Sequence, residues 1–65
     1  MIQVNGENVR DAEGLTVREL LDKLGYTEKY LAVECDEQII PRAEFDTFRF
    51  EEGNIVEVIR FVGGG

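Results

Sequence analysis

The fold is decided by the stretch Leu15-Thr16-Val17-Arg18-Glu19-Leu20-Leu21-Asp22-Lys23-Leu24-Gly25, which carries signals for the start, the buried face and the end of one helix. Thr16 is a favourable N-cap, and Glu19 three positions later completes a capping box. Apolar residues recur at the spacing of a single helical face: Val17, Leu20, Leu21 and Leu24. Gly25 is predicted to be the C-cap that ends the helix. A chain with one such helix must use its apolar face to cover a sheet.

Residues 1–9 carry the pattern of a β-hairpin. Ile2 and Val4 alternate with polar residues, which is the period of a half-buried strand. Asn5-Gly6 follows, and it is a strong hairpin signal because both residues tolerate positive φ. A two-residue turn there predicts that Val4 pairs with Glu7 and that Ile2 pairs with Val9. Ile2, Val4 and Val9 should then share the core face.

The rest of the chain predicts further strands. Residues 30–35 alternate between apolar and other side chains, residues 36–37 form a turn, and residues 38–40 form a short strand that ends near Pro41. Residues 55–62 are the longest and most β-branched segment, so we expect them to form the central strand. The first and last strands can lie side by side in parallel, with the helix across one face. This α+β arrangement is the β-grasp, or ubiquitin-like, fold, with a mixed sheet of four to five strands.

Composition narrows the class of protein. The 65 residues suffice for one domain, and 14 acidic against 7 basic residues give a net charge of −7. Such a charge argues against nucleic acid and against anionic membrane surfaces as partners. A single cysteine cannot form an internal disulfide, and no apolar run resembles a membrane span or an export signal. We therefore expect a cytoplasmic protein.

The sequence offers little catalytic chemistry. It contains no histidine, so it lacks the commonest general base and metal ligand, and it has no cluster of zinc-binding type. The adjacent carboxylates at residues 36–37 and 51–52 lie at predicted turns and are interpreted as solvated turn residues. Cys35 continues the apolar face of its strand, and we expect it to be buried and structural. The protein is therefore predicted not to be an enzyme.

The remaining chemical feature is the run Gly63, Gly64 and Gly65, which follows the last predicted strand. Residues 1–62 are predicted to form the folded domain, and residues 63–65 a flexible tail that ends in a carboxylate. Three extended residues reach roughly 10 Å, enough to enter a narrow channel of an enzyme. A carboxylate is a poor acyl electrophile, so a partner enzyme must first convert its oxygen into a leaving group, for example by adenylation. Gly65 is thus the predicted reactive residue.

The last strand also predicts a surface for that partner. If Val56 and Val58 face the core, then Ile59 and Phe61 point outward next to the tail, and exposed apolar residues often mark interfaces. We therefore predict that Ile59, Phe61 and Val62 bind the partner, on the sheet face opposite the helix. The alternative is the reversed orientation, with Ile59 and Phe61 in the core.

Over essentially its full length, the chain resembles the ThiS family of sulfur carriers in thiamine biosynthesis. The resemblance is carried by four segments: Val4-Asn5-Gly6, Thr16-Val17-Arg18-Glu19-Leu20-Leu21, Ile39-Ile40-Pro41-Arg42 and Phe61-Val62-Gly63-Gly64-Gly65. It implies a β-grasp fold and a ThiF-like adenylyltransferase that uses ATP and Mg to form an acyl-adenylate at Gly65. Sulfur that originates from a cysteine desulfurase persulfide, or from another sulfur donor, then displaces AMP, and the resulting thiocarboxylate serves a ThiG-like thiazole synthase. No permanently bound cofactor is implied.

Three other functions remain open from the residues alone. The first is a sulfur carrier for molybdopterin, which shares the fold and the Gly-Gly end. The second is a ubiquitin-like modifier, whose terminal glycine is joined to lysine amines of other proteins. The third is a structural interaction domain in which the glycines are incidental. A thioacid on the free protein indicates a carrier, whereas covalent conjugates indicate a modifier.

Overall fold

The computed structural model describes residues 1–61, which form one mixed sheet and one α-helix. The elements in chain order are β1 (Ile2–Val4), β2 (Glu7–Val9), α1 (Val17–Lys23), β3 (Leu31–Cys35), β4 (Gln38–Ile39), a 3-10 helix (Arg42–Glu44) and β5 (Ile55–Arg60). The strand order across the sheet is β2-β1-β5-β3-β4. β1 and β5 are parallel, and the other neighbouring strands are antiparallel. The predicted β-grasp fold is confirmed, with five strands within residues 1–61.

The first hairpin has the predicted register. Val4 pairs with Glu7 and Ile2 pairs with Val9. The turn residues Asn5 and Gly6 have φ values of 50° and 84°, as the two central positions of a type I′ turn require. Ile2 and Val4 are buried, and Val9 packs against the core at its edge.

The helix begins with the predicted capping box. The Glu19 backbone N–H donates to the Thr16 hydroxyl at 3.2 Å, and the Thr16 backbone N–H donates to the Glu19 carboxylate at 2.8 Å. Together these bonds satisfy donors that the first helical turn otherwise leaves unpaired.

The predicted end of the helix needs a correction of one residue. Leu24, not Gly25, is the C-cap, because Leu24 keeps helical backbone angles whereas Gly25 has a φ of +81°. The Gly25 N–H donates to the Asp22 carbonyl at 3.1 Å, and the Tyr26 N–H donates to the Leu21 carbonyl at 2.9 Å. This pair of bonds is a Schellman motif, in which glycine occupies the position after the cap.

The core lies between α1 and one face of the sheet. Its buried residues are Ile2, Val4, Ala12, Val17, Leu20, Leu21, Leu31, Val33, Cys35, Ile40, Phe45, Phe50, Val56 and Val58. Val17, Leu20 and Leu21 on the helix are buried, and Leu24 is partly buried against them. The predicted helical stripe is therefore core.

β5 is the central strand, as predicted, and it is the longest one in the described residues. It pairs with β1 through Gln3 and Val4 and with β3 along the whole length of that strand. The strand was expected to reach residue 62, but its ladder ends at Arg60, and Phe61 donates only a long bond of 3.5 Å to the Tyr30 carbonyl. The predicted domain boundary between residues 62 and 63 lies outside the described residues and stays a prediction.

Candidate functional site

None of the predicted tail residues lies within the part of the chain that the structure describes. Gly63, Gly64 and Gly65, together with the predicted partner-binding residue Val62, lie outside the described residues 1–61. The structure instead defines the end of β5, from which the tail continues, and the surface next to it. The candidate site is therefore built from that surface.

The orientation of β5 agrees with the sequence prediction. Val56 and Val58 are 0% and 7% exposed and lie in the core. Ile59 and Phe61 are 40% and 60% exposed, and they lie on the sheet face opposite α1. The reversed orientation is therefore wrong. That Ile59 and Phe61 bind a partner stays a prediction.

These two residues belong to a larger apolar surface, which we call the outward face. It consists of Tyr30, Ala32 and Glu34 from or beside β3, Ile39 from β4, and Ile55, Glu57, Ile59 and Phe61 from or beside β5. Ala32 lies opposite Ile59 across the ladder. Tyr30 and Ile39 are more than half exposed. The sequence did not identify the members from β3 and β4, because alternation does not establish which residue of β3 lies opposite which residue of β5.

The outward face carries two facing carboxylates at its centre. Glu34 lies directly opposite Glu57 in the antiparallel ladder, and Ile39 lies opposite Glu34 on its other side. Directly opposed residues have Cβ atoms roughly 5 Å apart, so two like charges there repel each other. Neither carboxylate forms an ion pair with another group in residues 1–61.

The last part of β5 is fixed by the side chain of Asn5. Its Oδ1 accepts from the Val58 N–H at 2.8 Å, and its Nδ2 donates to the Val58 carbonyl at 3.3 Å. The same Nδ2 lies 3.2 Å from the Tyr26 hydroxyl. β1 ends at Val4, so the amide of Asn5 continues the parallel ladder by one more step. The sequence identified Asn5 only as a turn residue.

Arg60, the last residue of β5, contacts the loop that follows α1. Its guanidinium carbon lies 4.7 Å from the centre of the Tyr26 ring, within the range of a cation–π contact. Its Nε lies 3.0 Å from a carboxylate oxygen of Glu28. The positive charge that precedes the tail is therefore engaged by the loop that follows α1.

Two of the carboxylates at the predicted turns, Asp36 and Glu52, make contacts with other groups. Asp36 accepts from the Ile55 N–H and from the Asn54 side-chain amide, both at 2.9 Å, and so fixes the start of β5. Glu51 and Glu52 are exposed before β5, and Glu52 contacts the Met1 ammonium group. Asp36 is thus more than a solvated turn residue, whereas Glu51 and Glu52 are exposed as predicted.

Cys35 is buried in the core, as predicted, with 8% of its surface exposed. Burial raises the pKa of its thiol, and the nearby Asp36 carboxylate raises it further. The thiolate is the nucleophilic form of cysteine, so this environment disfavours reactivity.

Residues 1–61 contain no group of three or more histidine, cysteine, aspartate or glutamate side chains placed to hold a metal ion. No helix of this part is long and apolar enough to cross a membrane. The candidate site of the described residues is the outward face, which ends at Phe61.

A family model and a solved structure that are similar to the chain agree on one family. The model of the ThiS family matches residues 1–65, including the glycine tail. The crystal structure of the thiamine biosynthesis protein ThiS from Geobacter metallireducens superposes with a TM-score of 0.80 at 37% sequence identity. That match covers 98% of this chain and 97% of the Geobacter chain.

Two kinds of curated relatives are similar to the chain. The sulfur carrier protein ThiS of Thermus thermophilus is 34% identical over 65 residues, which cover 100% of both chains. A thiazole synthase of Paramagnetospirillum magneticum is 32% identical over 62 residues, which cover 95% of this chain and 19% of that protein. The chain thus spans about a fifth of the length of the thiazole synthases that it matches.

Proposed function

Because the chain belongs to the ThiS family, we propose that it is a sulfur carrier of thiamine biosynthesis that acts through the carboxylate of Gly65. The observation that carries this proposal is the match of the family model to residues 1–65, which includes the three terminal glycines. A relative that is matched over its whole length is named a sulfur carrier. In this role the protein is a co-substrate that partner enzymes modify and use, rather than an enzyme.

The proposed chemistry begins with activation of the Gly65 carboxylate. A ThiF-like adenylyltransferase, using ATP and Mg, joins a carboxylate oxygen to the α-phosphorus and releases pyrophosphate. The acyl carbon then has AMP as a leaving group. A persulfide whose outer sulfur originates from a cysteine desulfurase or another sulfur donor attacks the acyl carbon and displaces AMP. A second thiol then cleaves the S–S bond, forms a disulfide with the sulfur donor, and leaves a thiocarboxylate on Gly65.

Glycine suits this chemistry for steric reasons. Gly64 and Gly65 have no Cβ atoms, so they fit a narrow channel, and no branched side chain shields the carbonyl carbon from attack. The four residues beyond Phe61 span at most about 14 Å when extended. The folded body can therefore stay at the entrance of a partner's channel while Gly65 reaches the reacting groups inside.

The proposed docking surface is the outward face beside the tail. Ile59 and Phe61 are exposed there, and Val62 is the next residue along the chain. Ordering a glycine tail in a channel costs conformational entropy. Burial of the exposed phenylalanine and isoleucine against the partner offsets this cost, and large aromatic residues are frequent anchors of interfaces.

The proposed recipient of the sulfur is a thiazole synthase of the ThiG type. Two curated thiazole synthases contain a segment that is 32% and 33% identical to almost this entire chain. In those two proteins, a carrier-like segment is part of a polypeptide named thiazole synthase. This association supports a thiazole synthase as the partner that consumes the thiocarboxylate.

The test of the proposal is intact-mass analysis after incubation with the adenylyltransferase, ATP, Mg and a sulfur source. We expect a mass increase equal to the replacement of one oxygen by sulfur. A variant that lacks Gly63, Gly64 and Gly65 should not be converted, whereas Glu7→Gln, on the edge strand β2, should be converted like the wild type. An unchanged wild-type mass with an active adenylyltransferase would contradict the carrier function.

Two further measurements separate the alternative functions. Addition of a thiazole synthase and its small-molecule substrates should consume the thiocarboxylate and yield thiazole. Consumption by a molybdopterin-forming enzyme instead would indicate the other carrier class. Covalent conjugates with lysine residues of other proteins would indicate a ubiquitin-like modifier.

A further inference from the structure

Within the outward face, the Glu34–Glu57 pair has surroundings that are unusual for exposed carboxylates. Glu34 and Glu57 face each other, with Ile59 and Ala32 on the next outward step of the ladder and Ile39 beside Glu34. Ile39 and Ile59 are exposed, at 68% and 40%. Two carboxylates therefore lie within a surface that is otherwise largely apolar.

The pair has no evident benefit for the free protein. Like charges directly opposite each other in a sheet are destabilising. The ion pairs within residues 1–61 lie elsewhere: Arg18 with Asp46, Arg60 with Glu28, and the Met1 ammonium group with Glu13 and Glu52. Within the described part of the chain, no cation compensates Glu34 or Glu57.

Docking changes the energetics of the pair. A partner that covers Ile59 and Ile39 also covers the carboxylates between them, because all of them project from the same face. Burial of an ionised carboxylate without a partner is strongly unfavourable, whereas a well-placed cation compensates this cost. A partner with a purely apolar surface therefore binds weakly, whereas a partner with a matching positive charge binds more tightly.

We propose that the Glu34–Glu57 pair selects a partner protein that presents an arginine or lysine side chain, surrounded by apolar residues, to the outward face. The inference rests on the proposed function, since the partner concerned is the adenylyltransferase that activates Gly65. A single cation between the two carboxylates relieves their repulsion and pairs both charges. Glu34 and Glu57 thus contribute specificity, while Ile59 and Phe61 contribute apolar contact.

The experiment measures the Kd of the full chain for the adenylyltransferase by calorimetry without ATP. The variants are Glu34→Gln/Glu57→Gln and Glu57→Lys, and Glu7→Gln on β2 is the matched control because it also removes one exposed negative charge. We expect both outward-face variants to bind at least about tenfold more weakly than the wild type. Their binding should also depend less on ionic strength. The control should bind like the wild type.

Thermal unfolding of the same variants gives a second readout. Glu57→Lys replaces a repulsive pair by an attractive one, so its melting temperature should equal or exceed that of the wild type while its affinity falls. Unchanged affinity of both outward-face variants, an equal loss in Glu7→Gln, or a lowered melting temperature of Glu57→Lys would overturn the inference.

The mass analysis described above separates this inference from the proposed function. If wild-type Gly65 becomes a thiocarboxylate but the outward-face variants bind normally, the carrier function stands and the inference about the Glu34–Glu57 pair falls. If the wild type neither binds the adenylyltransferase nor gains sulfur, both fall.

Discussion

The side-chain amide of Asn5 forms two hydrogen bonds with the backbone of Val58, a residue 53 positions further along the chain. Oδ1 accepts from the Val58 N–H and Nδ2 donates to the Val58 carbonyl, as a strand residue would with its own backbone. A turn residue of the first hairpin thereby fixes the central strand three residues before Phe61. The last part of β5 is therefore fixed by this contact as well as by the ladder with β3.

Replacement of Asn5 by glycine should loosen the end of β5. Glycine keeps the positive φ of the turn, so the substitution removes the amide bonds without adding backbone strain. We expect a loss of about 1–3 kcal/mol in the free energy of unfolding, because each hydrogen bond contributes about 0.5–1.5 kcal/mol. Urea unfolding measures the loss. The Val58 amide should also exchange its hydrogen faster, and an unchanged exchange rate at Val58 would show that the amide bonds are dispensable.

Phe61 and Phe50 form a matched pair of phenylalanines in opposite environments. Phe61 is 60% exposed and Phe50 is 1% exposed. Phe50→Ala should lower the free energy of unfolding by about 3–5 kcal/mol, since it leaves a large cavity. Phe61→Ala should change stability by no more than about 0.5 kcal/mol, the usual range for surface substitutions.

Adenylyltransferase binding provides the functional half of this comparison. Phe61→Ala should weaken binding although the protein stays folded, because an exposed aromatic anchor is lost. Calorimetric titration with the adenylyltransferase measures the change. If Phe61→Ala unfolds the protein, or binds as tightly as the wild type, Phe61 is not a docking residue.

Stability should depend on pH through Glu19. The Thr16 backbone N–H donates to the Glu19 carboxylate and holds the pKa of that carboxyl below its ordinary value of 4.5. A lowered pKa in the folded state means that this contribution is fully present above the ordinary value. It is lost as pH falls through the lower, folded-state pKa.

Glu19→Gln isolates the contribution of the charge, since glutamine still accepts the hydrogen bond in a capping box. The melting temperatures of the wild type and the variant should differ most above about pH 4.5 and converge in stronger acid. Thermal unfolding followed by circular dichroism between neutral and acidic pH measures this difference. A difference that grows as the pH falls would contradict the assignment.

Cys35→Ala should separate packing from sulfur chemistry. The substitution removes one buried atom of roughly methylene size, so we expect a loss of about 1 kcal/mol in stability. Thiocarboxylate formation on Gly65 should stay at the wild-type level, because the buried thiol has a raised pKa and is a weak nucleophile. Loss of sulfur loading in a folded Cys35→Ala protein would show that the thiol takes part.

Much of the local structure could be predicted from the sequence because its causes lie within a few residues. The bonds between Thr16 and Glu19 span three positions, and the turn at Asn5-Gly6 depends on the φ preferences of those two residues. Alternation along one strand places Val56 and Val58 on the face opposite to Ile59 and Phe61, whereas the packing of the core decided which of these two faces is buried. The predicted C-cap was wrong by one residue. The sequence pattern locates the end of the helix at Leu24 and Gly25 but does not tell which of the two is the cap.

The glycine tail is likewise a property of the sequence. Gly63, Gly64 and Gly65 predict a narrow arm without side chains, and the ThiS resemblance extends over it. The chemistry proposed for Gly65 depends on this composition and on the partner enzymes. The structure of residues 1–61 adds the position of the strand end from which the tail continues.

The pairs that shape the candidate surface were decided only by the tertiary structure. Glu34 faces Glu57, and Asn5 reaches Val58, across 23 and 53 positions of the chain. Alternation along each strand tells which side chains share a face but does not tell which residue of the neighbouring strand lies opposite. That register is set when the helix and both hairpins pack their apolar residues into one core, since a slip of one residue would move every buried side chain to the solvent.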